Sequence, residues 1–500
     1  MSAYQTLEQR FARLAALEGA AGILGWDAQT LMPDGAAEAR GDQLAILRGL
    51  AHEMLTAPAT AEDLDAAERA GTSDAGLDPW PAANLREMRR AQAHATAVPR
   101  DLVEASSRAV SRSEMVWREA RRDSDFAKLE PHLAEVLRLQ REIGQAKGAA
   151  LGLDAYDALL DSYDPGMRRA AIDPLFADLT GWLPALIARA RELQASQPAP
   201  LPLDGPFDVA VQRDLGLKLM EAVGFDFSRG RLDISLHPFC GGATDDVRIT
   251  TRYDAADFGR ALMGVLHETG HALYEQGRPA SWRNQPVGSA RGMSLHESQS
   301  LIVEMQACRS RPFFTFLAPL LREAFGRSGP EWSPENLHAL NTRVAPGFIQ
   351  VDADEATYPA HILLRYRLET AMIAGDLAVR DLPGAFNDGL RDLLGLAVPD
   401  DRVGCLQDIH WPSGAFGYFP TYTLGALAAA QLFRAARASD PALPDCLAQG
   451  DFAPLRTWLR ANVHEVGSLL DTDALLTCAT GARLGTDAFR AHLEARYLGA

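Results

Sequence analysis

Apolar positions recur at three- and four-residue intervals through most of the first 195 residues, as in FAKLEPHLAEVLRLQREIGQA at 126–146, and this spacing predicts amphipathic helices. Ala, Leu, Arg and Glu, all good helix formers, dominate the same stretch. Pro and Gly gather at residues 32–35, 72–81 and 197–207, where loops are expected. Between residues 231 and 253 the pattern changes. β-Branched residues and Thr alternate with polar ones in RLDISLHP and DDVRITTRY, which predicts a small hairpin or sheet. From Asp257 the helical period returns and continues almost to the C-terminus, broken by the Gly- and aromatic-rich residues 404–422. Neither an internal repeat nor a low-complexity tract is present, so the chain reads as one unit, with a helical N-terminal half at 1–195 and a second half at 196–500.

Composition narrows the classes. Hydrophobic residues make up 47% and charged residues 23%, as in ordinary folded proteins. The 66 acidic residues outnumber the 49 basic ones, and a net charge of -17 argues against a nucleic-acid partner. Apolar runs such as TLGALAAAQLF at 423–433 fall well short of the ~20 residues that span a bilayer, so no membrane segment is expected. Charged residues Glu8, Arg10 and Arg13 interrupt the first segment, which lacks the apolar core of a signal peptide. Five widely spaced cysteines with no C-x-x-C pair read as reduced thiols of a cytoplasmic protein.

Within the helical pattern at 257–277, DFGRALMGVLHETGHALYEQG, lies H-E-x-x-H. Four residues advance a helix by about 400°, so His267 and His271 emerge one turn apart on one face and can offer a ring nitrogen each to one cation. Glu268 sits about 100° round, beside that cation, where a carboxylate can take a proton from acidified water and return it to a leaving amine. Two histidines make an incomplete zinc site. The spacing H-E-x-x-H-x-x-G-x-x-H is absent, so a carboxylate must serve as third ligand. Glu297, 26 positions beyond His271 in SLHESQSLIVE, could return on a second helix, and Glu275 and Glu304 are the neighbouring candidates.

Several separate strings resemble those of the carboxypeptidase Taq family of metallocarboxypeptidases, along nearly the whole length. H-P-F is matched by His237, Pro238 and Phe239, and D-x-R-x-T by Asp246, Arg248 and Thr250. H-E-x-x-H and H-E-S-Q are matched at 267–271 and 296–299. The pattern G-x-x-Q-D-x-H-W is matched by Gly404, Gln407, Asp408, His410 and Trp411, followed by FGYFPTY at 416–422. The resemblance implies a mainly α-helical fold with a deep groove, a small β-sheet near the active site and zinc at the groove floor, with cobalt as a substitute. It further implies His267, His271 and Glu297 as the metal ligands, Glu268 as the base, and a homodimer. The implied reaction releases C-terminal amino acids from peptides with broad preference.

One position departs from the pattern. Where the family has I-R-x-x-A-D this chain has Ile349, Gln350, Val351, Asp352, Ala353 and Asp354. In the family that arginine is associated with the substrate's terminal carboxylate, and an amide offers a hydrogen bond without a bidentate charged pair. Arg248, Arg252 and Arg365 are candidates to supply the missing charge, and Asp246, Arg248 and Gln350 are the expected substrate-binding residues. Oxyanion stabilisation needs donors near the metal, for which His237, His410, Tyr418 and Tyr422 are candidates, with Asp408 and Trp411 beside His410 suggesting an oriented imidazole. Asp354 and Glu304 are candidates to orient the ligand histidines. Trp26 and Asp27 read as structural. Two rivals remain: an oligopeptidase that cuts internally, favoured by the uncharged Gln350, and a peptide-binding protein that keeps the metal without turnover, disfavoured by Glu268.

Overall fold

The computed structural model describes residues 2–71 and 78–499, which form twenty α-helices and one three-stranded sheet. Of the loop expected at 72–81, residues 72–77 lie outside the described residues, and the next helix, Pro79–Ala97, already begins within that stretch. The sheet is more complex than a hairpin: β1 (Gly230–Ile234), β2 (Cys240–Ala243) and β3 (Asp246–Thr251) lie in the order β1-β3-β2. β3 runs antiparallel to β2 and parallel to β1, with Arg231 opposite Arg248. Turns fill the segment from Asp401 to Phe419, and the helix Pro420–Ser439 takes in the last three residues of the expected loop.

Ser2 and Gln5 close a reciprocal capping box at the start of Ala3–Thr30, each side chain meeting the other residue's N–H at 3.2 and 2.9 Å. This helix then lies directly on β2: a Cβ at Gly22 would come within 2.4 Å of the Gly242 carbonyl oxygen, so only glycine allows the contact. At its far end the buried Trp26 takes the Arg248 guanidinium at 4.6 Å and that of Arg231 at 5.5 Å on its ring, which ties the N-terminal helix to β1 and β3.

The largest core joins the helices Phe126–Leu151 and Arg169–Ala195 to Tyr358–Ala374, Leu382–Leu394 and Pro420–Ser439 through side chains such as Leu133, Leu179, Leu363, Phe386 and Leu424. Arg169–Ala195, although it holds no unbroken apolar run of ~20 residues, is by length and composition apolar enough to cross a membrane, contrary to the expectation of no such segment. Its apolar face, Ile172, Phe176, Leu179 and Leu183, is buried in this core. A second core surrounds Phe258–Gly277, where Leu262, Leu266 and Leu273 meet Leu295, Ile302 and Leu432.

In the largest core Glu369 is fully buried and receives hydrogen bonds from the Tyr156 hydroxyl at 2.5 Å and from Trp411 Nε1 at 3.2 Å. Burial pushes its carboxyl up to about 8, above the 4.5 of a free Glu. A carboxyl raised in the folded state contributes stability that is complete below about pH 4.5 and drains as pH rises through about 8. Glu369→Gln is therefore expected to flatten the fall of the thermal midpoint between pH 5 and 9, by an amount on the order of a few kcal/mol across that window. Melting curves at fixed pH intervals check this, and parallel pH profiles for the two proteins would contradict it.

Candidate metal centre

Phe258–Gly277 carries the H-E-x-x-H residues. Asp257 caps its start, accepting from the Gly259 and Arg260 N–H groups at 2.9 and 3.4 Å. Three residues past His267, Gly270 faces the crossing helix Met293–Leu301, and a Cβ there would meet the Gln299 carbonyl oxygen at 2.4 Å. From the other side Gly425 admits Pro420–Ser439 so closely that its added Cβ would lie 2.7 Å from Glu297 Cβ. Two glycines thus let three helices converge on one carboxylate.

The result brings together His267, His271 and Glu297, whose candidate ligand atoms all lie within 4.8 Å of one another. Glu297 Oε2 is 3.9 Å from His267 Nε2 and 3.5 Å from His271 Nε2. Spacings of this size match ligand atoms about 2.0–2.2 Å from a shared tetrahedral cation.

What the other ring nitrogens do decides whether these can bind. His267 Nδ1 is 3.0 Å from Glu304 Oε2, and a carboxylate can only accept, so Nδ1 carries a proton and Nε2 is the nitrogen left to face a metal. Glu304 is itself held by Arg309 Nη2 at 2.7 Å. It stands seven residues, or two turns, after Glu297, on a segment that widens into a π-helix over Ile302–Cys308, a feature common at functional sites. For His271 the partner is a second imidazole: Nδ1 meets His296 Nδ1 at 2.6 Å, and His296 Nε2 meets Glu275 Oε1 at 3.0 Å. Glu275 fixes the proton on His296 Nε2, which makes His296 Nδ1 an acceptor and leaves His271 Nε2 free. Thus Glu275 and Glu304, considered above as rival third ligands, hold the two imidazoles from behind. A cavity of about 460 Å³ lined by Glu18, Cys240, Thr244, Glu275 and His296 borders the far side of this relay.

The electrostatics suit a cation. Burial pushes Glu268 up to about 7 and, by itself, would depress the His267 imidazolium, but the bond to Glu304 and the charge of Glu297 overcome that and raise it to about 10. Burial holds His271 down at about 4. Four carboxylates, Glu268, Glu275, Glu297 and Glu304, surround the histidines, while Arg278 and Arg309 answer only the two outer ones. A divalent ion would compete with the proton for His267 Nε2 and supply the charge the inner pair lacks. The residues fit a metal.

The other expected site residues divide. His410 Nε2 is 3.3 Å from the Tyr422 hydroxyl, and Tyr418 packs edge-on to Tyr422 at 5.3 Å. Burial raises the phenols of Tyr358, Tyr418 and Tyr422, and each also feels the charge of Glu297. Tyr358, in DEATYPAH, was not singled out from sequence. Its ring meets Tyr422 at 6.1 Å, and only its place at the head of a helix after the A-D pair hinted at it. Asp408 does not orient His410: it pairs with Arg365 at 2.6 Å, and that arginine is completely buried. Arg365 is therefore committed and cannot serve as a substitute cation for substrate.

Asp246 and Arg248 bind each other at 2.6 and 2.8 Å, and the guanidinium is spent on Trp26, so both stabilise the sheet and the N-terminal helix. His237 is exposed in the β1–β2 loop, where its carbonyl accepts from Ser235 Oγ and its ring has no partner among the described residues. Asp354 accepts from the Ala345, Ala356 and Thr357 N–H groups and orients no ligand. Gln350 is 2% exposed. Its N–H donates to Gln407 and its Oε1 is buried without a partner. Arg252 stays exposed, 3.4 Å from the Leu236 carbonyl oxygen.

A family model described as carboxypeptidase Taq (M32) metallopeptidase matches residues 6–497. Thermostable carboxypeptidase 1 of Thermus thermophilus is 39% identical to the chain over 504 residues, covering 99% of this chain and 98% of that protein. Thermostable carboxypeptidase 1 of Pyrococcus furiosus is 33% identical over 500 residues and covers 99% of both. Among solved structures, Trypanosoma cruzi metallocarboxypeptidase 1 superposes with a TM-score of 0.96 at 40% identity over 99% of each chain.

Proposed function

The chain belongs to the carboxypeptidase Taq (M32) family and is a metallocarboxypeptidase, and from that premise we propose that its metal is zinc, that Glu268 activates water, and that it trims peptides with broad side-chain preference. The observation that carries this reading is that Nε2 of His267 and of His271 both meet Glu297 Oε2, with both Nδ1 atoms engaged from behind. Two imidazoles and one carboxylate are the protein ligand set of a hydrolytic zinc site, whose fourth position takes water or substrate. Zinc held there would polarise the scissile carbonyl and acidify water. Glu268 takes a proton from that water as its oxygen attacks the carbonyl carbon, then delivers the proton to the leaving amine nitrogen. The phenols of Tyr358, Tyr418 and Tyr422, which feel the charge of Glu297, and the His410 imidazole beside Tyr422 are the donors for the developing oxyanion. Gln350 offers its amide to the substrate's terminal carboxylate, and of Arg248, Arg252 and Arg365 the exposed Arg252 is the one without a carboxylate partner among the described residues. We further take the protein to be cytoplasmic, in keeping with five free cysteines, and homodimeric by analogy with its family.

The oligopeptidase reading draws on one observation: Arg365 and Arg248 are both committed to aspartates, and Gln350 has no charge. A ladder of peptides with free and amidated C-termini, read by product mass alongside zinc content, separates the two. Free peptides are expected to shorten one residue at a time and amidated ones to persist. Internal cuts at equal rates in both would sink the carboxypeptidase mechanism. In the same assay Gln350→Arg is expected to raise kcat/KM on free peptides about tenfold or more, since a hydrogen bond to a charged group contributes ~1.5–3 kcal/mol. No gain would mean that Gln350 does not limit carboxylate capture.

A further inference from the structure

A second cavity, of about 1320 Å³, opens where the end of Arg169–Ala195, the start of Arg311–Phe325, residues 338–346 and the last turn of Asp487–Tyr497 come together. None of the metal-centre residues lines it. Its charge opposes that of the chain as a whole. Arg191, Arg311, Arg343 and Arg437 line it and are exposed, and among the described residues no guanidinium of the four has a carboxylate partner or a hydrogen bond. Arg496 and His492 also line it, but Glu355 answers both. The only carboxylate among the lining residues is Glu192. His338, 8% exposed, adds a buried imidazole whose ring makes no hydrogen bond among the described residues.

Helix dipoles explain only part of this. Arg437 stands in the last turn of its helix, where cations are favoured, whereas Arg191 lies before the last turn of its own. Arg311, however, is the first residue of its helix, where the dipole opposes a cation, and Arg343 lies on no helix. We propose that this cavity binds a multivalent phosphate anion, a polyphosphate chain free or as part of a nucleotide. Planar guanidinium groups match phosphate oxygens in bidentate pairs, and a surface of net charge -17 leaves a compact cationic pocket as the place where such an anion settles. The volume exceeds the needs of one phosphate and suits a chain of several.

Calorimetric titration of tripolyphosphate into the full chain tests this. Saturable binding is expected, weakened at least tenfold in Arg343→Ala/Arg437→Ala, whose exposed side chains leave the fold intact, and unchanged in His267→Ala. ATP binding as tightly as tripolyphosphate identifies the phosphate chain as what is read, and tighter ATP binding adds the nucleoside. The proposal is overturned by no saturable binding, by undiminished binding in the double variant, by loss of binding in His267→Ala, or by an oligoglutamate peptide outcompeting tripolyphosphate.

Discussion

Glu268→Gln is expected to lower kcat by ~10²–10⁴-fold, the usual contribution of a positioned general base, while the protein keeps its fold and its metal. The amide has the shape of the carboxyl but cannot accept a proton from water, so the loss falls on the chemical step. Glu268 is nearly buried and makes no hydrogen bond among the described residues, so no structural contact is lost with it. Burial already penalises its charged form, and an uncharged amide of equal size leaves stability intact. The two imidazoles and Glu297 are untouched. Metal content by mass spectrometry should therefore match the wild type, with turnover measured on the same preparation. A variant that hydrolyses peptides at the wild-type rate would remove Glu268 from the reaction, whereas one that loses its metal would make the residue structural.

The metal centre was legible in unequal parts. A spacing of four on a helix is a local property, so His267 and His271 could be paired from the sequence alone. Glu297 could not, because its place depends on how closely two further helices approach, which Gly270 and Gly425 decide. Its position in the sequence put it ahead of Glu275 and Glu304, and the resemblance to a family strengthened that choice. The relay through His296 to Glu275 was invisible for the same reason. It joins residues 21 and 25 positions apart across a helix crossing, and neither partner stands at a diagnostic spacing. Adjacency misled at Asp408, which lies two residues from His410 yet turns to a buried arginine 43 positions away, since an uncompensated guanidinium in the core would cost far more than an unoriented imidazole. The mainly helical class was readable throughout from the 3.6-residue period. The strand order was not, because the alternation in residues 231–253 marks strands without saying that β1 would pair with β3 in parallel.

Replacing Glu297 and Glu304 separately by Gln should grade the metal site. Glu304 reaches the metal ligands only through His267 Nδ1, its other oxygen being held by Arg309, so Glu304→Gln keeps an oxygen able to accept that proton and loses the charge that makes the imidazole a stronger donor. Such outer partners set metal affinity by ~10–100-fold, and a fall of that size is expected. Glu297 points at both Nε2 atoms and would contribute its own oxygen, so Glu297→Gln should weaken binding by more than about 100-fold, beyond any outer partner. Competition against a chromophoric chelator reads both variants on one scale, and circular dichroism shows whether each is folded. Equal affinities in the two would mean that Glu297 is not the third ligand. A larger loss at Glu304 would move that role to the π-helical segment, and the arrangement of donors around the two histidines would have to be redrawn.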